Sequence, residues 1–278
     1  MRVAILGMGA IGHVVARALE GRADLVKVDR TRAPLRDGEA PVDVAIVTTK
    51  TPGTAWAADT AARLLAPDGV ALTIQNGLGN YEILAEHVGR ERAAVGVIYV
   101  GAQLVNGELR ATGPGKVEMG RPPAAAQRAR LDGLARSLRD GGMDVTVVDD
   151  PWPAVWRKVV TNAAVNPLTA LVRRTNAELL ADAPASRVAD GIAREVARVA
   201  TASGVRIGED EAVKQWRTMA ALTGANRSSM LQDVEAGRPT EIDAISGAVA
   251  REGERRGVAA PLNQAMTLLV SSLSPRPG

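Results

Sequence analysis

Lys158, Asn162 and Asn166 stand at i, i+4 and i+8 in the run WRKVVTNAAVNPLTAL, residues 156–171. On an α-helix that spacing makes one polar stripe. Val159, Val160, Ala163, Ala164 and Val165 cover the rest of the run. A helix that is apolar nearly all round belongs in a core. A buried amine costs on the order of several kcal/mol unless something compensates it. The stripe therefore faces either a protein partner or a ligand. In a partly buried cleft an amine's pKa falls toward neutrality, which suits a general acid. The alternative is a lysine whose stem packs while its head reaches water. Asn162 and Asn166 can donate hydrogen bonds to a carboxylate or a hydroxyl.

Other chemistries are poorly supplied. The chain has no cysteine, which excludes thiol nucleophiles, thiolate metal sites and disulfides. Its two histidines, His13 and His87, fall on solvent-side helix positions, so no imidazole base and no metal site is expected. A Tyr-x-x-x-Lys pair is absent, because Tyr81 is followed at that spacing by Ala85 and Tyr99 by Gln103. By elimination a proton donor should be Lys, Asp or Glu. Only five lysines (27, 50, 116, 158, 214) contribute to a Lys+Arg total of 34. Where lysine survives such replacement, a titratable amine is a reason, since arginine keeps its proton. That draws attention to Lys158 and Lys50, while Lys27 and Lys214 read as surface residues.

A second cluster is NRSSMLQDVEAGRPTEID, residues 226–243. Ser228 or Ser229 can cap one helix and Thr240 the next. Glu241 would then sit in a first helical turn, where a carboxylate suits the helix dipole. The functional reading makes Ser229 a donor to a substrate carboxylate and lets Glu241 hold the lysine.

These residues need elements to carry them. RVAIL (2–6) reads as a strand, followed by Gly7, Met8, Gly9, Ala10, Ile11 and Gly12 and then a helix. G-x-G-x-x-G in that context is a dinucleotide-binding turn. The first glycine permits the turn, the second lets the backbone approach a pyrophosphate, and the third lets helix pack on strand. Helix N–H groups then hold the phosphates. Asp29 ends a second strand and suits the ribose hydroxyls of NAD; Arg30 and Arg32 suit the 2′-phosphate of NADP. Further strands are expected at 42–49, 70–77, 93–100, 116–120 and 143–150, with helices at 54–65 and 124–140. The alternation predicts an α/β domain, a doubly wound parallel sheet, over 1–150. From Pro153 to Val270 helical periodicity fills 153–171, 183–203, 209–222, 228–236, 240–256 and 261–272, so 151–278 reads as all-helical.

Composition sets the remaining bounds. Hydrophobic residues make up 46% of 278, and the net charge is +3 without a dense basic run. Two globular domains are affordable, and nucleic acid is not an expected partner. The start opens directly into a strand, and no apolar run reaches the length of a membrane span. A soluble, cytoplasmic protein without membrane contact is expected.

The motifs GMGAIG, TTK, QNGLGN, WRKVVTNAAVNPLTAL, NAEL and NRSSMLQDVEAGRPTEID together resemble the ketopantoate reductase (2-dehydropantoate 2-reductase) family over nearly the whole chain. The resemblance implies a Rossmann domain joined to a helical domain with the active site in the cleft between. It implies NADPH-dependent reduction of 2-dehydropantoate to (R)-pantoate in pantothenate and coenzyme A synthesis. By resemblance Lys158 is the proton donor, Glu241 lies near cofactor and lysine, and Asn76 bridges cofactor and substrate. Lys50 lies along the cofactor, Ala102 gives it a backbone contact, and Arg30 holds the 2′-phosphate. Asn162, Asn166, Asn176, Asn226 and Ser229 line the substrate pocket. The chain departs from the family in the short segment 30–41, which borders the adenosine end. With Asp29, this keeps NAD open beside NADP. A D-2-hydroxy-acid dehydrogenase acting on a branched or aromatic 2-keto acid carries the same motifs. A non-catalytic nucleotide sensor would need the glycine turn but not Lys158, Glu241 and the asparagines together. Helical second domains often supply contacts between two copies, so a homodimer is compatible with this organisation.

Overall fold

A computed structural model describes residues 1–29, 40–113 and 115–273. The chain divides into two compact units: Met1–Gln75 with Gly79–Pro151, and Asn76–Leu78 with the chain from Trp152 onward.

The first unit begins with β1 (Arg2–Leu6), α1 (Ala10–Leu19), β2 (Asp24–Val28), β3 (Val42–Val47), α2 (Thr54–Leu64) and β4 (Leu65–Thr73). It continues with α3 (Asn80–Val88), β5 (Ala93–Tyr99), β6 (Ala102–Val105), β7 (Glu108–Ala111), β8 (Lys116–Gly120), α4 (Ala125–Asp140) and β9 (Asp144–Val148). Seven strands form one sheet in the order β2-β1-β3-β4-β5-β8-β9. Val3, Ala4, Ile5 and Leu6 of β1 are fully buried, as continuous apolar strands covered on both faces should be. One face packs on α1 and α4 through Val15, Leu19, Leu131 and Leu134. The other packs on α2 and α3 through Ala57, Ala61, Leu64 and Leu84.

Two features depart from the expected all-parallel sheet. β8 runs antiparallel to β5, with Gly96 opposite Met119. The chain returns from β5 to β8 without a crossover helix, and only a crossover yields a parallel neighbour. The intervening residues make a separate hairpin, β6 paired with β7. Its turn is Asn106–Gly107, both at positive φ (52° and 82°), the conformation a two-residue hairpin turn requires.

The second unit contains α5 (Trp152–Val172), α6 (Asn176–Ala181), α7 (Ala183–Ala202), α8 (Glu209–Leu222), α9 (Ser229–Glu235), α10 (Ser246–Arg256) and α11 (Pro261–Ser271). Among its described residues there is no strand outside these helices. α5 is the hub and packs against α7, α8, α9 and α11. Its Val159, Val160, Ala163 and Ala164 are buried with Ile192, Val196 and Trp216. Burying such side chains supplies about 1.5–3 kcal/mol each for the larger ones, before chain entropy is set against it. Pro167 lies inside α5 and has no N–H to give to the carbonyl of Ala163. α6 starts with a capping box of Thr175 and Glu178, and Asp182 caps α7 by accepting from the N–H of Ala185.

Candidate active site

In the first unit the glycine turn follows β1. Gly7 has φ of +108°, and its N–H donates to the carbonyl of Val28 at 2.8 Å. A Cβ on Gly12 would stand 2.1 Å from the carbonyl oxygen of Gly7, so helix and strand close only with glycine there. Thr48 Oγ1 approaches the carbonyls of Gly7 (2.6 Å) and Leu6 (3.2 Å) and fixes the turn. Among the described residues a Cβ on Gly9 would meet nothing within 4 Å. The backbone is bare on that side, and the start of α1 lies beside it with Gly9 as N-cap. This open cradle fits the phosphates of a dinucleotide, held by backbone N–H groups at the turn and helix start. Met8, Ala10 and Ile11 complete the turn and are half-buried.

Two other expected cofactor residues of this unit follow β2 and β3, the strands on either side of β1, at the carboxyl edge where the glycine turn lies. Lys50 is exposed just past β3, and Asp29 is half-buried just past β2. Ala102 opens the β6–β7 hairpin opposite Ala111. Arg30 and Arg32 lie outside the described residues.

In the second unit the stripe on α5 exists as expected. Lys158 and Asn162 are half-buried and Asn166 is buried. Burial drives the pKa of Lys158 from the usual 10.5 to about 8, against the nearby carboxylate of Glu241, which pulls it back up. Glu241 is itself buried. Its Oε2 accepts a hydrogen bond from Asn76 Nδ2 at 3.1 Å, across 165 positions of sequence. Asn76 reaches it because Leu78 N–H donates to the carbonyl of Ala244 at 2.8 Å. A Cβ on Gly77 (φ +85°) would lie 2.2 Å from that same oxygen, so only glycine permits the approach. The amine, the carboxylate and the amide thus belong to one unit.

The rest of the expected pocket is pinned around the start of α9. Asn176 N–H donates to the carbonyl of Asn226 at 3.0 Å. Asn176 Nδ2 donates to Thr223 Oγ1 at 2.9 Å, while its buried Oδ1 has no donor among the described residues. Ser228 caps α9 by accepting from Leu231 N–H at 3.1 Å. Asn226 and Ser229 are exposed.

Two expectations are corrected. Thr240 caps nothing, and its buried Oγ1 lacks a partner. Glu241 is not in a first helical turn, because α10 begins at Ser246. Residues 241–245 form a tight turn in which the Glu241 carbonyl accepts from Ala244 and Ile245 N–H, both at 3.1 Å. His13 and His87 both lie on helices, each with Nδ1 on a carbonyl one turn back, Gly9 and Ile83. Among the described residues no group of three or more His, Asp or Glu could hold a metal, and no helix is long and apolar enough to cross a membrane.

The sequence alone did not point to Thr48, Thr169 or Thr223 as organisers of these sites. Thr48 was visible only as part of the TTK run. Thr169 and Thr223 carry no spacing signal, since their partners are distant in the chain.

A dinucleotide turn in one unit and a depressed lysine beside a carboxylate in the other define a nucleotide-dependent oxidoreductase architecture. Residues 26–124 match the family model described as Ketopantoate reductase PanE/ApbA, and residues 151–274 match its C-terminal model. A relative called 2-dehydropantoate 2-reductase, from Halobacterium salinarum, is 34% identical over 300 residues, covering 97% of this chain and 98% of its own. The solved 2-dehydropantoate 2-reductase of Geobacter metallireducens superposes with a TM-score of 0.88 at 29% identity, covering 99% of this chain and all of the other. A ternary structure of D-mandelate dehydrogenase with NADH and anilino(oxo)acetate also gives 0.88, at 25% identity and 98% coverage of both chains. The chain belongs to the ketopantoate reductase family.

Proposed function

We propose that the chain reduces 2-dehydropantoate to (R)-pantoate, using NADPH as the reductant, as a step of pantothenate formation. The observation that carries this reading is Lys158, whose amine titrates near 8 beside Glu241. When bound, the nicotinamide cofactor supplies the hydride that the ketone carbon receives. Gly7, Met8, Gly9, Ala10, Ile11 and Gly12 would hold its phosphates, with Lys50, Ala102 and Asn76 along it and Arg30 at a 2′-phosphate.

The chain's own residues supply the rest. Lys158 Nζ donates a hydrogen bond to the keto oxygen and then its proton, so the product leaves as an alcohol and the lysine is left neutral. A donor poised near neutral pH gives that proton readily and recovers it from water. Glu241 keeps the amine charged before the reaction and is itself fixed by Asn76. Asn162, Asn166, Asn226 and Ser229 orient the acid, with Ser229 on its carboxylate. The buried Oδ1 of Asn176, with no donor among the described residues, is an acceptor for a substrate hydroxyl. An unsatisfied buried acceptor disfavours a ligand that cannot fill it. That supports a hydroxylated keto acid such as 2-dehydropantoate.

A second reading has its own support. The structural relative that holds NADH and an aryl keto-acid analogue is a D-mandelate dehydrogenase, and Asp29 follows β2 where a ribose-binding acid would stand. In this reading the chain is a D-2-hydroxy-acid dehydrogenase for branched or aromatic keto acids with NADH. A steady-state assay of cofactor absorbance, with 2-dehydropantoate and other 2-keto acids against NADPH and NADH, separates the two. Highest kcat/KM for 2-dehydropantoate with NADPH supports the first reading. Turnover confined to other keto acids, or preference for NADH, moves the assignment to the second.

A further inference from the structure

The loop Asn226–Ser229 offers exposed side chains from a backbone tied at both ends. At one end Asn226 accepts from Asn176 N–H (3.0 Å), and its own N–H donates to the carbonyl of Thr223 (2.8 Å). At the other end stands a contact between two hydroxyls. Thr169 on α5 has no exposed surface, and its Oγ1 lies 2.7 Å from Ser228 Oγ. Thr169 Oγ1 also lies 2.9 Å from the carbonyl of Val165 and 3.0 Å from that of Asn166.

A hydroxyl has one proton to give and two lone pairs to accept with. Ser228 Oγ accepts from Leu231 N–H and, with its second lone pair, from Thr169 Oγ1. The contact ties the start of α9 to α5 one turn from Asn166. Neither hydroxyl has room to exchange its partner for bulk water, since Ser228 is 8% exposed and Thr169 not at all.

We propose that Thr169 is a positioning residue for the keto acid: through Ser228 it sets the loop carrying Asn226 and Ser229 against the α5 stripe of Lys158, Asn162 and Asn166. This rests on the reading of Asn226 and Ser229 as substrate contacts. It assigns no chemistry to Thr169, which lies too deep to touch a ligand.

The test compares Thr169→Val, which keeps the shape and removes the hydroxyl, with Thr169→Ser, which keeps the hydroxyl. KM for the keto acid, kcat and the cofactor's Kd are measured for each. Thr169→Val is expected to raise KM about tenfold, the loss that one buried hydrogen bond produces. Its kcat and cofactor Kd should stay within about twofold, because the loop and not the proton donor has moved. Thr169→Ser should restore KM. Ser228→Gly, tolerated at a helix N-cap, reads the same contact from its other end and should match Thr169→Val. Unchanged KM in both variants overturns the proposal. So does loss of folding in both, which would make the pair a matter of stability alone. A wild type that neither turns over nor binds any 2-keto acid overturns the parent reading, and the positioning role with it. A working wild type with an unmoved Thr169→Val KM overturns the positioning role only.

Discussion

The glycine turn of the first unit and the lysine site of the second are built in opposite ways. The turn is made of backbone, and its parts are neighbours: Gly7, Gly9 and Gly12 lie within a few positions, tied to the rest of the sheet by Val28 and Thr48. The lysine site is made of side chains drawn from Asn76, Lys158 and Glu241, the outer two separated by 165 positions. A backbone site is specified by where a side chain is forbidden. A side-chain site is specified by which charge is desolvated and what stands next to it. The first should be sensitive to added atoms and the second to removed ones.

The largest effect expected from this contrast is at Lys158. Lys158→Ala should lower kcat by roughly 10²–10⁴-fold, the usual contribution of a placed general acid. Cofactor affinity, measured by fluorescence titration, should hold within about twofold. A variant that keeps turnover would remove the lysine from the chemistry; one that loses the cofactor as well would erase the distinction between the sites.

Added atoms come next. Gly12→Ala drives a Cβ to 2.1 Å from the Gly7 carbonyl and should cost about 1–3 kcal/mol of stability as well as cofactor binding. Gly9→Ala meets no atom of the described residues within 4 Å. It should leave the thermal midpoint in place and weaken the cofactor alone. Equal melting of the two variants would contradict the assignment of the open side to a ligand.

The charge pair gives a pH signature. With Lys158 as the proposed proton donor, reduction needs it protonated, so the rate should fall as pH rises through about 8. The reverse oxidation needs the neutral amine and should rise through the same pH. Glu241→Gln removes a charge that raises that pKa, so the midpoint for reduction should move down by about one unit. A midpoint that stays or moves up would mean another group titrates. The smallest effect is expected at Thr48. Thr48→Val loses the hydroxyl that holds the Gly7 carbonyl and should lower stability by about 1 kcal/mol in urea titration, leaving kcat untouched. A larger loss, with kcat reduced, would make the turn's clamp part of the lysine site's business.

How far these two regions could be read in advance follows from the same contrast. The turn was legible because its context is sequential: β1 ends at Leu6 and α1 starts at Ala10, and the glycines fall between. The α5 stripe was legible because one helix with a fixed repeat carries Lys158, Asn162 and Asn166. The helix over Glu209–Leu222 was bounded correctly by its helical periodicity. Thr240 misled, since a capping residue before a carboxylate looks the same whether a helix or a turn follows. The β6–β7 hairpin was overlooked although Asn106–Gly107 marks it, because its flanking residues are too exposed to alternate.

By itself the sequence determined the periodic elements, the glycine turn and the polar stripe, since each depends on neighbours along the chain and on local backbone geometry. Only the tertiary structure decided that β8 runs antiparallel to β5, that Asn76 joins the second unit, and that Glu241 leaves its expected helix for a turn. The same holds for the link between Thr169 and Ser228. These depend on which distant groups share one desolvated space. No repeat encodes that, because it depends on packing between groups far apart in the chain.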